Sequence, residues 1–144
     1  DDREAIELTL NALVSRFPEI TSVAYAVNTS WNDALGPHEV RIYAGDEWIT
    51  ELCGSHRLRI RPKAFYQTNP EQAVRLYDRV ASLAGFTGDE LVFDLYSGIG
   101  AIALYVADRV KRVVGIEVVD DAVVAAQENA RANGSPTRCS NAAR

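Results

Sequence analysis

The sequence predicts an α/β fold: an incomplete domain built on a parallel sheet, preceded by a small α+β domain with antiparallel hairpins. After residue 69, apolar strands alternate with helical segments, which is typical of a parallel sheet covered by helices. Before that point, one helical segment is followed by short alternating runs separated by turn residues, which is typical of hairpins. We place the domain boundary between residues 62 and 63, giving domains at 1–62 and 63–144.

The first domain begins with a predicted helix that Pro18 ends, because the residue before a proline avoids helical geometry. Apolar residues at helical spacing support this helix; they are Ile6, Leu10, Leu13, Val14 and Phe17. Residues 20–27 are rich in strand formers and predict a strand. Residues 40–52 form two alternating runs around a turn and predict a hairpin.

A basic strand is predicted at residues 56–62. Leu58 and Ile60 fall on one face of it, and arginines fall on the other, since successive side chains of a strand alternate. Trp31 and Trp48 are large aromatics of the same domain, and we expect both of them in its core.

The second domain opens with a helix predicted at residues 70–84. Asn69 is the expected N-cap, Pro70 the first helical residue and Gln72 the reciprocal cap. We expect Phe65, just upstream, to be buried. The residues expected to face inward from the helix are Ala73, Leu76, Tyr77, Val80 and Ala84.

Strands and helices then alternate. They are a buried strand at 90–96, a helix at 99–109, a buried strand at 112–118 and a helix at 121–132. Asp120 is the expected N-cap of the last helix, and Asn133 and Gly134 its C-terminal stop. Residues 135–144 are polar, and we expect them to be weakly structured. The sheet therefore has two predicted strands, too few for a complete domain.

Composition excludes several classes of protein. The 144 residues are 47% hydrophobic, yet no apolar run is long enough to span a bilayer. The two cysteines, Cys53 and Cys139, form no CxxC pair, and there are only two histidines, which argues against a disulfide scaffold and a metal site. We expect reduced thiols in a cytoplasmic protein. The net charge of −5 is acidic, but residues 55–90 carry six bases against four acids.

The stretch VFDLYSGIGAIAL, residues 92–104, carries the strongest chemical signal. A strand ends at Asp94, and Gly98 and Gly100 open the following helix, where glycines allow a tight turn and a close approach by a ligand. Amide groups at a helix start favour an anionic group of that ligand. The next strand ends at Glu117, where a carboxylate is placed to accept hydrogen bonds from ribose hydroxyls.

Two nucleotide classes compete for this loop. The glycine spacing formally fits the dinucleotide fingerprint, which leaves an NAD-dependent oxidoreductase as an alternative. Asp94 is a poor neighbour for a pyrophosphate, however, whereas it suits the ammonium and sulfonium of S-adenosylmethionine. The D-x-x-x-G-x-G pattern, with an acid at the second strand end, therefore predicts a Rossmann-like methyltransferase domain. A glycine turn without a ligand would leave both strand-end acids unexplained.

Three stretches together resemble one family. FYQTNPEQA, DLYSGIG and GIEVVDDAVVAAQENARANG are similar to the RNA 5-methyluridine methyltransferases, which modify tRNA or rRNA. The resemblance runs from about Arg57 to Gly134, and residues 1–56 resemble the family's central domain with weaker motif support. It implies methylation of uridine C5 in RNA, with S-adenosyl-L-methionine as cofactor and RNA as partner.

The resemblance implies roles for five residues at the donor site. Gln67 would contact the methyl donor, Tyr96 would pack on it and Glu117 would hold its ribose, while Gly98 and Gly100 would form the floor of the loop. Ser97 stands where the family usually has cysteine. Ala101 stands where some members have an asparagine that reaches the donor, so that contact is missing.

The resemblance also implies what this stretch lacks. The family's nucleophilic cysteine and its general base lie downstream of the position of Arg144, so the chain is expected to be an inactive fragment that holds the donor motifs. The basic residues of the predicted strand and its end are candidate RNA contacts; they are Arg57, Arg59, Arg61 and Lys63. Alternating charge also produces an ordinary solvated strand face, and a non-catalytic RNA-binding fragment remains an alternative.

Overall fold

The computed structural model describes residues 2–29, 31 and 38–141, which divide into two units. The first comprises Asp1–Ile49 and Arg61–Lys63, and the second Thr50–Ile60 and Ala64–Arg144. In chain order the elements are α1 (Asp2–Arg16), β1 (Ser22–Ala26), β2 (Val40–Gly45), β3 (Ile49–Cys53), β4 (His56–Ile60), α2 (Pro70–Ala84), β5 (Leu91–Leu95), α3 (Ala101–Ala107), β6 (Arg112–Glu117), α4 (Asp120–Ala132) and β7 (Arg138–Asn141). The α/β class with antiparallel hairpins and a parallel sheet agrees with the prediction.

The first unit consists of α1 and an antiparallel pair of strands, β1 and β2. The Tyr43 hydroxyl of β2 donates a 2.8 Å hydrogen bond to Asn11 of α1. The predicted helix and first strand are confirmed, but the predicted hairpin at 40–52 is wrong, because β2 pairs with β1 and β3 pairs with β4. Alternation of apolar residues identifies a strand, but it does not identify which strand pairs with it.

The hairpin of β3 and β4 belongs to the second unit, where the predicted boundary had assigned it to the N-terminal domain. Gly54 and Ser55 join the two strands, a connection short enough only for an antiparallel pair. Leu58 is fully buried and Ile60 is buried beside it, so the predicted alternation of β4 is confirmed. The side-chain amides of Asn129 in α4 and of its C-cap Asn133 bond to the β4 backbone, which explains why this hairpin groups with the C-terminal elements.

Helix α2 begins at the predicted N-cap and spans the predicted residues 70–84. The Asn69 side-chain oxygen accepts a 3.0 Å hydrogen bond from the Gln72 backbone N–H, and Gly85 ends the helix with a left-handed φ of 60°. The buried face comprises Ala73, Tyr77 and Ala81. The expected inward positions of Leu76, Val80 and Ala84 are wrong, since all three are exposed. Phe65 is also exposed, at 76%, against the prediction of burial.

The parallel sheet has three strands in the order β5-β6-β7. Strand β7 corrects the expectation that residues 135–144 are weakly structured, and residues 142–144 lie outside the described part. This strand is polar in sequence, and among residues 138–140 only the Cys139 side chain is buried.

The sheet is covered on one face by the helices that connect its strands. Both connections step in the same direction across the sheet, so right-handed crossovers place α3 and α4 on the same face. On the opposite face of β5, three apolar residues are each more than half exposed to solvent; they are Leu91, Phe93 and Leu95. The prediction that β5 is a buried strand is therefore wrong for that face.

Helix α4 starts one residue earlier than expected, so the predicted N-cap is wrong: Val119 is the N-cap and Asp120 lies inside the first turn. Its predicted end is confirmed. The Gly134 N–H bonds to the Arg131 carbonyl and the Ser135 N–H to the Ala130 carbonyl, the paired bonds of a Schellman motif.

The core of the second unit joins β4, α2, α3 and β6. Tyr77 and Tyr105 pack with ring centroids 5.5 Å apart, and Leu58, Leu104 and Val113 are almost completely buried around them. Within residues 2–29, 31 and 38–141, no helix combines the length and apolar character that a membrane crossing requires.

Candidate functional site

The glycine loop, residues 96–100, connects β5 to α3 and is docked onto β6. Three of its residues have left-handed backbones, with φ of 60° at Tyr96, 54° at Gly98 and 81° at Gly100. The Ser97 N–H donates to the Ile116 carbonyl at 3.2 Å, and the Gly100 N–H donates to the Ser97 carbonyl at 2.8 Å. These bonds fix the loop at the carboxyl ends of β5 and β6, where open α/β sheets bind ligands.

Tyr96 is the one non-glycine residue with a positive φ in the described part of the chain. A side chain in that region costs about 1–3 kcal/mol and is found mainly where function requires it. The residue is 86% exposed, so packing within the chain does little to compensate for this strain. The loop therefore holds an aromatic ring open to solvent beside the two glycines.

The two glycines of the loop have different surroundings. A Cβ added at Gly98 would meet nothing within 4 Å, so this residue faces open space. A Cβ at Gly100 would lie 3.2 Å from the Cβ of Ala126, so this residue allows the loop to pack closely on α4. Gly98 leaves room for a ligand, and Gly100 positions the loop.

Glu117 ends β6 and binds three backbone N–H groups. Its Oε2 accepts from Gly98 at 2.8 Å, and its Oε1 accepts from Val118 at 2.7 Å and from Val119 at 3.0 Å. Burial opposes ionisation of this 8%-exposed side chain, but the three hydrogen bonds outweigh it and lower the pKa of Glu117. A carboxylate has about four acceptor positions, and these three bonds use three of them.

Asp94 caps the start of α3 from within the chain. Its Oδ2 accepts from the Ala103 N–H at 3.1 Å. Burial raises the pKa of Asp94, the bond from Ala103 partly offsets this, and the charge of Glu117 raises the pKa further. The amides of Gly98 and Ala103 are thus engaged by carboxylates of this chain. At these two positions the helix start is not open to a ligand anion, contrary to the expectation from sequence.

Gln67 is exposed in the segment that precedes α2. Helices α2 and α3 run side by side in the same direction. In the middle of α2, Asp78 accepts a hydrogen bond from the Tyr105 hydroxyl of α3 at 2.8 Å and pairs with Arg109 at 3.2 Å. One cavity, of about 640 Å³, lies between their C-terminal ends. The start of α2 therefore lies at the same end of the second unit as the glycine loop, which places Gln67 on that side.

The four basic residues fall into both units. Arg57 and Arg59 are exposed on β4, in the second unit, whereas Arg61 and Lys63 belong to the first. Arg59, Arg61 and Lys63 each have an interaction within the chain. Trp31 is fully exposed, so its predicted place in a core is wrong.

Both thiols of the chain are buried. Cys53 is 1% exposed in β3, and Cys139 is 6% exposed in β7, not in a polar tail as expected. Burial raises the pKa of each thiol. Because the thiolate is the nucleophilic form, neither site has the environment of a catalytic nucleophile.

Sequence reasoning missed two residues that hold the loop. A Cβ at Gly115 would lie 2.9 Å from both the Ser97 Oγ and the Cys139 Sγ, so only glycine lets the loop settle on β6. Asn129 of α4 is fully buried and donates to the Ile99 carbonyl at 3.2 Å. The available signals were a glycine inside an apolar strand and an asparagine inside a helix, both of which are unfavourable in isolation.

No protein-family model matches the chain. A protein of Porphyromonas gingivalis named as an uncharacterized RNA methyltransferase is 48% identical over 134 residues, covering 93% of this chain. A Bacillus cereus protein of the same name is 36% identical over 124 residues, covering 86%. The chain is homologous to a segment of RNA methyltransferases. It spans less than a third of these relatives, 29% and 27% of their lengths.

A solved structure matches the same RNA methyltransferase segment. It is the Pyrococcus abyssi tRNA (uracil-54, C5)-methyltransferase in complex with S-adenosyl-L-homocysteine. The match has a TM-score of 0.74 and 30% sequence identity, and covers 90% of this chain and 32% of that chain. The fold described above is therefore that of part of a methyltransferase.

Proposed function

We propose that the second unit binds S-adenosyl-L-methionine and is the donor-binding part of an RNA methyltransferase. The observation that carries this proposal is the arrangement around Gly98. Gly98 has open space beside it, its N–H donates to Glu117 Oε2 at 2.8 Å, and Tyr96, two residues earlier in the loop, is exposed. The names of the relatives and the S-adenosyl-L-homocysteine bound to the Pyrococcus abyssi enzyme support the same ligand class.

Each residue of the proposed site has a distinct part in binding. Glu117 accepts a hydrogen bond from a ribose hydroxyl, Tyr96 packs its ring on the donor and Gly98 lets the donor approach the backbone. Gly100 acts indirectly, by holding the loop on α4. Gln67 contributes its amide from the segment before α2.

For the substrate we propose C5 of uridine in tRNA or rRNA, supported by the resemblance and by the similarity to a tRNA uracil-C5 enzyme. This reaction needs a thiolate that adds to C6, so that C5 attacks the methyl group, and a base that then removes the C5 proton. Cys53 and Cys139 are both buried with raised pKa values, so we propose that the nucleophile and the base lie elsewhere in the whole protein. The chain alone is expected to bind donor without turnover.

RNA is the proposed macromolecular partner, in a cytoplasmic setting. The exposed arginines of β4, Arg57 and Arg59, are the best-placed phosphate contacts of the second unit, and Arg61 and Lys63 extend the basic stretch along the chain. Phosphate contacts of this kind supply affinity without sequence preference.

Titration calorimetry with S-adenosylhomocysteine and with NAD tests the ligand class. We expect the folded chain to bind S-adenosylhomocysteine, and Gln67→Ala and Glu117→Ala to weaken binding by roughly 5- to 30-fold, the effect of losing one or two hydrogen bonds. Asp89→Asn is the matched control, since Asp89 is an exposed carboxylate before β5. Tighter binding of NAD than of S-adenosylhomocysteine would favour the oxidoreductase alternative and contradict the proposal.

A further inference from the structure

Asn129, near the C-terminal end of α4, has every hydrogen-bonding atom of its side chain engaged. The Oδ1 atom accepts from the Arg59 N–H at 2.9 Å. The Nδ2 atom donates to the Arg59 carbonyl at 3.3 Å and to the Ile99 carbonyl at 3.2 Å. The side chain is completely buried, so water cannot take over these bonds. One amide thus links strand β4 to the glycine loop.

Asn133, the C-cap of α4, holds the same strand but not the loop. Its Oδ1 accepts from the Arg57 N–H at 2.9 Å, and its Nδ2 donates to the Arg57 carbonyl at 2.8 Å. Its remaining amide bond, of 2.8 Å, goes to the backbone carbonyl of Asn129. The two asparagine side chains thereby satisfy backbone N–H and C=O groups of β4 that a neighbouring strand would otherwise bond. Of the two, Asn129 is the one that also bonds to Ile99.

We propose that Asn129 is a positioning residue that fixes the glycine loop against the arginine-bearing strand β4. The inference rests on the proposed function, which makes the loop the donor site and Arg59 an RNA contact. Ile99 lies between the two glycines of the loop and is itself buried, so a displacement of the loop from α4 breaks the bond between Asn129 and the Ile99 carbonyl. The geometry of the proposed donor site is therefore tied to the strand that carries the proposed RNA contacts.

Hydrogen exchange of the ligand-free chain tests this link without any donor. Asn129→Asp keeps the shape and the acceptor for the Arg59 N–H but removes both donors, so the Ile99 carbonyl loses its partner. We expect the amides of Gly98 and Gly100 to exchange roughly 5- to 30-fold faster, because local opening of the loop becomes easier. Asn133→Asp is the matched control, and should leave these two amides unchanged. Equal effects of the two variants, or no effect of Asn129→Asp, would overturn the inference.

The unmodified chain offers a second test, which holds even if Asn129→Asp does not fold. The side-chain amide protons of Asn129 should exchange far more slowly than those of exposed Gln67, and more slowly still when S-adenosylhomocysteine is bound. Exchange of the Asn129 amide as fast as that of Gln67 would overturn the inference. If the chain binds no S-adenosylhomocysteine, the proposed function fails, while the exchange rates without ligand still decide the role of Asn129.

Discussion

Replacing Glu117 with glutamine keeps its shape but removes one of the two acceptor oxygens. The carboxylate serves Gly98 through one oxygen and Val118 and Val119 through the other. In the variant, an NH₂ group must face either the Gly98 N–H or the valine pair, so at least one backbone donor loses its acceptor. Hydrogen bonds to charged groups contribute about 1.5–3 kcal/mol each, and we expect the variant to unfold about 2–3 kcal/mol more easily at pH 7.

Urea denaturation followed by circular dichroism measures this difference. The pKa of Glu117 is lower in the folded chain than its ordinary value of 4.5. Its stabilisation is therefore present above pH 4.5 and lost as pH falls through the folded pKa, so the variant and the parent should converge in acid. Asp89→Asn, the same change of carboxylate to amide at an exposed site, should shift stability by less than about 0.5 kcal/mol. A Glu117→Gln variant as stable as that control would refute the reasoning.

Three further variants test other parts of the structure. Gly115→Ala places a Cβ 2.9 Å from the Cys139 sulfur, and should cost about 1–3 kcal/mol in the same urea titration; an unchanged midpoint would show that the loop yields freely. Tyr96→Gly removes the side chain that disfavours a left-handed φ of 60°, so the free energy of unfolding should rise by up to about 1 kcal/mol. A fall of that size in the free energy of unfolding would be inconsistent with strain at Tyr96. Hydrogen bonds from Thr87 lower the pKa of Glu90 to about 2, so its contribution to stability is present above about pH 4.5 and is lost toward pH 2. Glu90→Gln should therefore weaken the dependence of the free energy of unfolding on pH between about pH 4.5 and pH 2. An unchanged pH dependence would count against the hydrogen bonds between Thr87 and Glu90.

Local signals in the sequence predicted the helix start at Asn69 and the left-handed end of α4 at Gly134, because each depends on residues within one turn. The position of the glycine loop and of Glu117 was predictable for a related reason. In a parallel sheet the carboxyl ends of the strands lie at the same edge, so the residues that follow β5 and the last residue of β6 come close together there.

Features that depend on distant parts of the chain were not predictable. The partner of β2 depends on where β1 lies, and the exposed face of β5 depends on both crossover helices lying on the other side. Strand β7 forms from a polar segment because β6 offers it a backbone edge, which no property of the segment itself reveals. Asn129 contacts Arg59, 70 residues away in the chain, so its role becomes visible only in the fold.

Titration of isotope-labelled chain with S-adenosylhomocysteine, followed by the backbone amide signals in NMR, tests the central claim most directly. The proposed donor site predicts saturable shifts that are largest at Tyr96, Gly98 and Glu117. A folded chain with no such shifts, or with shifts confined to the cavity at the other end of α2 and α3, would contradict it.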